Sequence, residues 1–440
     1  MKNKISVVQK KLSDAVSQLC DVSWMFCKCP NAHFTRNRKL PFRKVVTFLL
    51  ALEGGTLGTQ MLRHFGYSVN IPSTSAFVQQ RNKITTEAFP SLFDLFVQKS
   101  DTRKSYKGFR LIAADGSDFR TPSDPSDPDS YFSGTSIQSP YNLLHLDAMY
   151  DLLQHTYTDV TLLGKRVANE RNSLCKMIDR SNFDNVLLIA DRGYEGFNLM
   201  AHIQEKGWKF LIRIQDAENS FGIAAGLDLP NTDEFDVFID LSLTKKQTKE
   251  VQALCKNRNR FKLIHSNFDF LPKTSKTDAP VFYKLPFRIV RIKITDNTYE
   301  TVVTNLDAEL FPPEELKKLY NMRWGIETSF RELKYTVGLL HFHAKKVEYI
   351  YQEVFARLIM YNFSELVTSL VIIQKTKTKL AYQANFTIAV HVCRQLFLGN
   401  VSPPDVEALI RKHVSPIRPG RSRPRRMTVK HAVSFIYRVA

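Results

Sequence analysis

Three carboxylates stand where a chain could carry out metal-assisted chemistry. Asp115 follows the apolar run Leu111, Ile112, Ala113, Ala114 and precedes Gly116 and Ser117. Asp191 follows Leu187, Leu188, Ile189, Ala190 and precedes Arg192, Gly193 and Tyr194. A carboxylate directly after a buried strand, then a glycine that frees the backbone, is where an α/β sheet presents ligands. Hard divalent cations take oxygen ligands, and carboxylates from two neighbouring strands can share one ion. A single aspartate in such a place is more often a turn or cap residue. Two with matched flanks point to a site.

The third carboxylate, Glu327, lies in a stretch with helical spacing. At about 100° per residue, Tyr320, Arg323, Glu327, Arg331 and Lys334 fall on one narrow stripe. A carboxylate among two arginines, a lysine and a tyrosine fits a salt-bridged, solvated face. It equally fits a metal-binding glutamate among groups that grip phosphates, and the pattern leaves both open. Other candidates are weaker. Asp118 lies beyond the glycine, Asp147 and Asp151 read as structural or supporting, and Glu332 falls roughly 140° from Glu327 on the helix. His145, His341 and His343 read as hydrogen-bonded structural residues.

The elements that must position these groups follow from hydrophobic period. Residues 42–52 and 56–65 read as short helices, and Ser73 offers an N-cap for a third running through Phe77 and Arg81. Three short helices with tight turns are compatible with a helix-turn-helix unit or with an ordinary bundle. From 109 the period changes to strands at 109–114, 143–153, 157–163 and 186–190, with helices at 169–178 and 196–206. Residues 208–306 carry strand signals at 208–214, 235–243, 261–266, 281–295 and 299–306. That stretch reads as a β-rich insertion. Helical character returns at 312 and runs to about 373, where 355–373 reads as a buried helix because Arg357, Asn362 and Glu365 interrupt its apolar run.

The 440 residues carry a formal net charge of +19, and hydrophobic residues make up 43%. Wholesale disorder is excluded by the second figure. The first points toward polyanions, nucleic acid foremost. Residues 1–44 hold ten Lys and Arg against Asp14 and Asp21, and the last thirty residues hold nine with no acidic residue. Six scattered cysteines do not make a disulfide framework or a zinc site, so a reducing compartment is expected. Neither a signal peptide nor a membrane span is expected.

The spacing Tyr-x2-Arg-x3-Glu-x6-Lys, here Tyr320, Arg323, Glu327 and Lys334, resembles the signature of the DDE transposases of bacterial insertion sequences, family four. The segments beginning at Asp115 and Asp191 look like that family's first and second aspartate motifs, in the same order and with the longer gap before the glutamate. The resemblance runs from about 34 to 426. It implies an α/β, RNase H-like catalytic core interrupted by a β-rich insertion, with helical N-terminal and C-terminal regions. The implied division is 1–100 for DNA-end binding, 105–207 and 311–373 for the core, 208–310 for the insertion, and 374–440 for a basic helical region. Asp115, Asp191 and Glu327 would hold two Mg²⁺, with Mn²⁺ able to substitute. Tyr320, Arg323, Arg331 and Lys334 would contact DNA. Double-stranded element ends and target DNA, a homodimer in the synaptic complex, and a cytoplasmic, nucleoid-associated setting are implied with them. Some relatives carry a Trp in the last insertion strand that stacks on a flipped base; this chain has Tyr299 there. The alternatives are a stand-alone nuclease of the same fold and a non-catalytic regulator derived from a transposase.

Overall fold

Short helices with side-chain caps open the chain, and a strand-rich middle follows. The computed structural model describes residues 2–136, 138–216, 222–265, 267–273, 279–296, 298–373, 381–417 and 436–437. The N-terminal helices are α1 (Lys2–Asp21), α2 (Phe42–Ala51), α3 (Leu57–His64), α4 (Thr74–Arg81) and α5 (Ala88–Ser100). Next come α6 (Glu170–Arg180), α7 (Phe197–Glu205) and the short α8 (Lys249–Leu254). The C-terminal third holds α9 (Pro313–Met322), α10 (Trp324–Tyr335), α11 (Val347–Thr368), α12 (Phe386–Phe397) and α13 (Pro403–Lys412). Thr56 and Ser73 accept the Thr59 and Ala76 amides and so fix the starts of α3 and α4. The basic segment at 418–426 lies outside the described residues.

Ten strands form one large, mostly antiparallel sheet. They are β1 (Arg110–Thr121), β2 (Tyr131–Phe132), β3 (Tyr141–Asp151), β4 (Thr156–Gly164), β5 (Val186–Ala190), β6 (Lys209–Ile214), β7 (Phe235–Thr244), β8 (Phe261–Leu263), β9 (Tyr283–Thr295) and β10 (Thr298–Thr304). The order is β2-β3-β1-β5-β6-β10-β9-β7-β8, with β4 also on β3. β1, β5 and β6 are parallel neighbours, and β1, β3 and β4 are antiparallel ones.

Two expectations shift here. β1 does not stop at Asp115: it continues to Thr121 because residues 112–121 pair with β3. The strand at 209–214, read from sequence as insertion, pairs in parallel with β5, because its apolar run is buried on both faces. The remaining strand-rich residues continue the same sheet, since β10 pairs with β6.

The sheet buries both faces. Ile112, Ala114, Leu188 and Met149 pack on one side with Leu174 and Ile178 of α6 and Met200 of α7. Leu111, Ala113, Leu187 and Ile189 pack on the other with α10, α11 and the N-terminal helices. α11 is buried nearly all round, which suits a helix at the centre of a large core. The first hundred residues share that core. Arg81 of α4 donates to Glu353 at 2.8 Å and to Gln352 at 2.9 Å, both on α11, so its guanidinium is turned inward. Among the described residues no helix is long and apolar enough to cross a membrane.

Candidate active site

The parallel register of β1 and β5 sets the first two carboxylates side by side. Ala114 pairs with Ala190, so the next residues along each strand, Asp115 and Asp191, are neighbours at the same level of the sheet. Each is held by the amide of a nearby glycine: Gly116 donates to Asp115 Oδ1 at 2.9 Å, and Gly193 to Asp191 Oδ1 at 2.8 Å. Burial pushes the Asp115 carboxyl up to about 7. The Gly116 amide and Arg323 oppose that rise, while Asp191 and Glu327 add to it. Two like charges at close range leave one carboxyl reluctant to ionise unless a cation joins them.

α10 brings the third carboxylate, Glu327, close enough to Asp115 to oppose its ionisation. The stripe expected as one helix is divided between α9, which carries Tyr320, and α10, with Arg323 at the junction. Arg323 keeps helical backbone angles, so the side chains at 323, 327 and 334 still face the same way. Gly325 lets α10 approach the end of β3 closely, because a Cβ there would stand 3.0 Å from the side chain of Leu152, the residue just after that strand. Arg323 Nη2 donates to Glu327 Oε1 at 2.8 Å, and its Nη1 lies 4.0 Å from Asp115 Oδ2. The Arg323 side chain is 6% exposed, whereas Asp115 and Glu327 are 21% and 32% exposed. Burial works against the charged guanidinium, but Tyr320, Glu327 and Asp115 outweigh it.

Lys334, two turns on, has a different occupation. Its Nζ donates to Ser117 Oγ and to the Asp118 carbonyl, each at 2.8 Å. Burial lowers its affinity for a proton, against Asp118 and Asp115. Seven residues of helix and three of strand both span about 10 Å, so contacts at 327 and 334 match positions 115 and 118. Arg331 is exposed, and Tyr320 is buried with its hydroxyl unbonded among the described residues. Thus Arg323, joined to Glu327, meets Asp115, the neighbour of Asp191, while Lys334 meets β1 further along at Ser117 and Asp118 and Arg331 is exposed.

Sequence reasoning set aside a cluster on the back of β1. His145 Nε2 bonds Asp147 Oδ1 at 2.9 Å and its Nδ1 bonds Asp118. Burial alone would lower its pKa, yet those two carboxylates raise it to about 9. The ring lies over Gly116, where a Cβ would stand 2.8 Å from Nε2. The signal available was the pairing of Asp118 with His145 and Gly116 with Asp147 across two adjacent strands. Glu332 faces away as expected, its carboxylate 3.4 Å from the Tyr361 hydroxyl of α11. Tyr299 lies under the Arg291 guanidinium at 4.6 Å.

An all-carboxylate set suits a hard divalent cation, and burial beside two like charges leaves Asp115 short of positive charge. Among the described residues no three metal-binding side chains are drawn together tightly enough to hold an ion. Arg323 stands between two of the three.

The Transposase DDE domain family matches residues 106–363, more than half of the chain and all three carboxylates, and the chain belongs to that family. It is similar to the Transposase InsG for insertion sequence element IS4 of Escherichia coli (strain K12). The two are 24% identical over 340 residues, covering 74% of this chain and 70% of the relative. A cryo-EM structure of a piggyBac transposase synaptic complex with hairpin DNA covers 96% of this chain and 84% of that one, at 10% identity and a TM-score of 0.43. That likeness is too remote to inform the site.

Proposed function

We propose that the protein binds the ends of its own insertion sequence as a homodimer and performs metal-dependent DNA cleavage and strand transfer. The observation that carries this reading is the β1–β5 register, which sets Asp115 beside Asp191 under a helix bearing Glu327. The five strands β4-β3-β1-β5-β6 serve as the RNase H-like core, and β10-β9-β7-β8 as its insertion. Asp115, Asp191 and Glu327 would hold two Mg²⁺ or Mn²⁺. Bound there, such ions would supply Lewis-acid activation of a hydroxyl nucleophile and of the leaving oxygen for an in-line phosphoryl transfer. The chain's own groups set the geometry. Gly116 and Gly193 amides orient the aspartates, Lys334 fixes β1 against α10, and Arg331 offers an exposed cation to a phosphate. The first hundred residues and the basic C-terminal segment would supply further backbone contacts. The reaction belongs with DNA in the cytoplasm.

Replacing Asp115, Asp191 or Glu327 by Ala is expected to lower strand transfer from a pre-cleaved element end by roughly a thousandfold or more, with end binding retained. Hydrolysis without strand transfer in the native protein would make it a nuclease. Full activity in any of the three variants would remove that residue from the site.

A further inference from the structure

Arg323 is placed oddly for a residue whose whole task is to meet DNA. Its guanidinium is turned inward, between Glu327 on its own helix and Asp115 on β1. Both Nε and Nη1 are buried and have no hydrogen-bond partner among the described residues. The ring of Tyr320 lies 5.5 Å from the guanidinium and that of Trp324 5.4 Å, and Trp324 is 49% exposed. A buried donor without a partner is unfavourable. What holds this one is therefore attraction to two carboxylates on different elements, reinforced by two aromatic faces. A single positive charge among three carboxylates neutralises only part of their repulsion. A divalent ion would neutralise more and would claim the same oxygens.

We infer that Arg323 is a place-holding cation: it bridges Glu327 and Asp115 before metal binds, and a divalent ion entering the carboxylate cluster displaces it. The inference rests on the reading of Asp115, Asp191 and Glu327 as metal ligands. Freed from the carboxylates, the guanidinium remains beside the aromatic faces of Tyr320 and Trp324 at the mouth of the site, where its five donors can take a phosphate. Phosphate binding and metal binding are then coupled, because the anion draws away the group that competes with the ion. The competition fixes a sign. If Arg323 merely organised the ligands, its loss would weaken metal binding; as a competitor, its loss strengthens it.

The test is Mn²⁺ titration of the full-length, DNA-free protein by calorimetry. The native chain would be compared with Arg323→Gln, Arg323→Lys, Glu327→Gln and Asp115→Asn. Arg323→Gln is expected to bind Mn²⁺ roughly tenfold more tightly than the native protein, reflecting one removed charge at close range in a partly screened site. Arg323→Lys should lie between the two, and Glu327→Gln should bind more weakly. The rise in melting temperature on adding Mn²⁺, larger for Arg323→Gln than for the native chain, gives a second readout that also reports folding. Equal or weaker Mn²⁺ affinity in Arg323→Gln overturns the inference, as does the absence of Mn²⁺ binding to any of the proteins. If Asp115→Asn abolishes binding but Arg323→Gln does not tighten it, the inference alone falls. If Asp115→Asn leaves binding unchanged, the carboxylates are not the metal site and the functional reading falls as well.

Discussion

At its N-terminal end α10 meets β1 through Arg323, which is joined to Glu327 and reaches Asp115 only at 4.0 Å. Two turns further along, it meets the same strand through Lys334, whose hydrogen bonds to Ser117 and Asp118 are both 2.8 Å. The first contact is partly exposed on its Glu327 side and leaves two guanidinium nitrogens unmatched among the described residues. The second is buried and bonded, and β1 is braced from behind at that level by the His145 ring over Gly116. If Arg323 exchanges partners as inferred above, a contact of that kind is built from charges with unmet demands. A contact that only sets a distance is built dry and closed.

The largest change in stability is expected away from both contacts, at the partly buried Glu365 of α11. Burial and the neighbouring Glu332 push its carboxyl up to about 8, with the Tyr361 hydroxyl opposing them. The sign follows from a folded pKa above the ordinary 4.5. Its contribution is intact below about 4.5 and is lost as pH rises toward 8, because the unfolded chain ionises freely while the folded state must keep the proton or carry a buried charge. Glu365→Gln should therefore raise stability at pH 8 by roughly 2 kcal/mol or more, with the gain fading by pH 5. Urea titrations at both pH values check this. Equal changes at pH 5 and pH 8 would show that Glu365 ionises freely in the folded protein.

Much of this contrast was legible in the α10 stripe, though not as one face. Laid out by the helical period, the buried Ile326, Ser329, Phe330 and Leu333 centre on a single side of α10. Arg323 and Lys334 fall at the edge of that side and are buried with it. Glu327, a step further round, is half open, and Arg331, a step beyond that, is exposed. The narrow stripe was thus a gradient from core to solvent, readable only once the apolar positions were counted with the polar ones. The strands at 186–190 and 141–164 were legible because their apolar runs are short and bounded by polar breaks. The assignment of 209–214 was not, because a fully buried strand carries no mark of the sheet it joins. Nor could the spacing show Arg323 between two carboxylates, since one of them comes from a strand far earlier in the sequence.

Lys334→Met tests the closed contact directly. The substitution keeps the stem packed and removes both donors, leaving the Ser117 hydroxyl and the Asp118 carbonyl to find others. A loss of about 1–3 kcal/mol in unfolding free energy is expected, together with slower cleavage because Asp115 lies on the loosened strand. Denaturant unfolding and cleavage rate would be measured on the same preparations. Undiminished stability with a large loss of cleavage would mean that Lys334 leaves β1 and acts on the DNA.

The smallest effect is expected at Arg331, which shares the helix with both contacts and belongs to neither. Its exposure removes it from the core, so Arg331→Ala should leave the melting temperature within experimental scatter. It also lies off the axis joining Arg323 to the carboxylates, so the Mn²⁺ affinity of the DNA-free protein should not change. On the proposed reading of the site, an exposed arginine there is left with one contact to the DNA backbone. Such a contact releases counterions, and losing it should flatten the dependence of log affinity on log salt by about 0.9. Binding to element ends and to random DNA should weaken together, because a phosphate contact carries no sequence information. The measurement is affinity across a salt series for both DNAs. An unchanged slope, or a loss confined to the element end, would place Arg331 outside the backbone contacts and leave the open end of α10 to Arg323 alone.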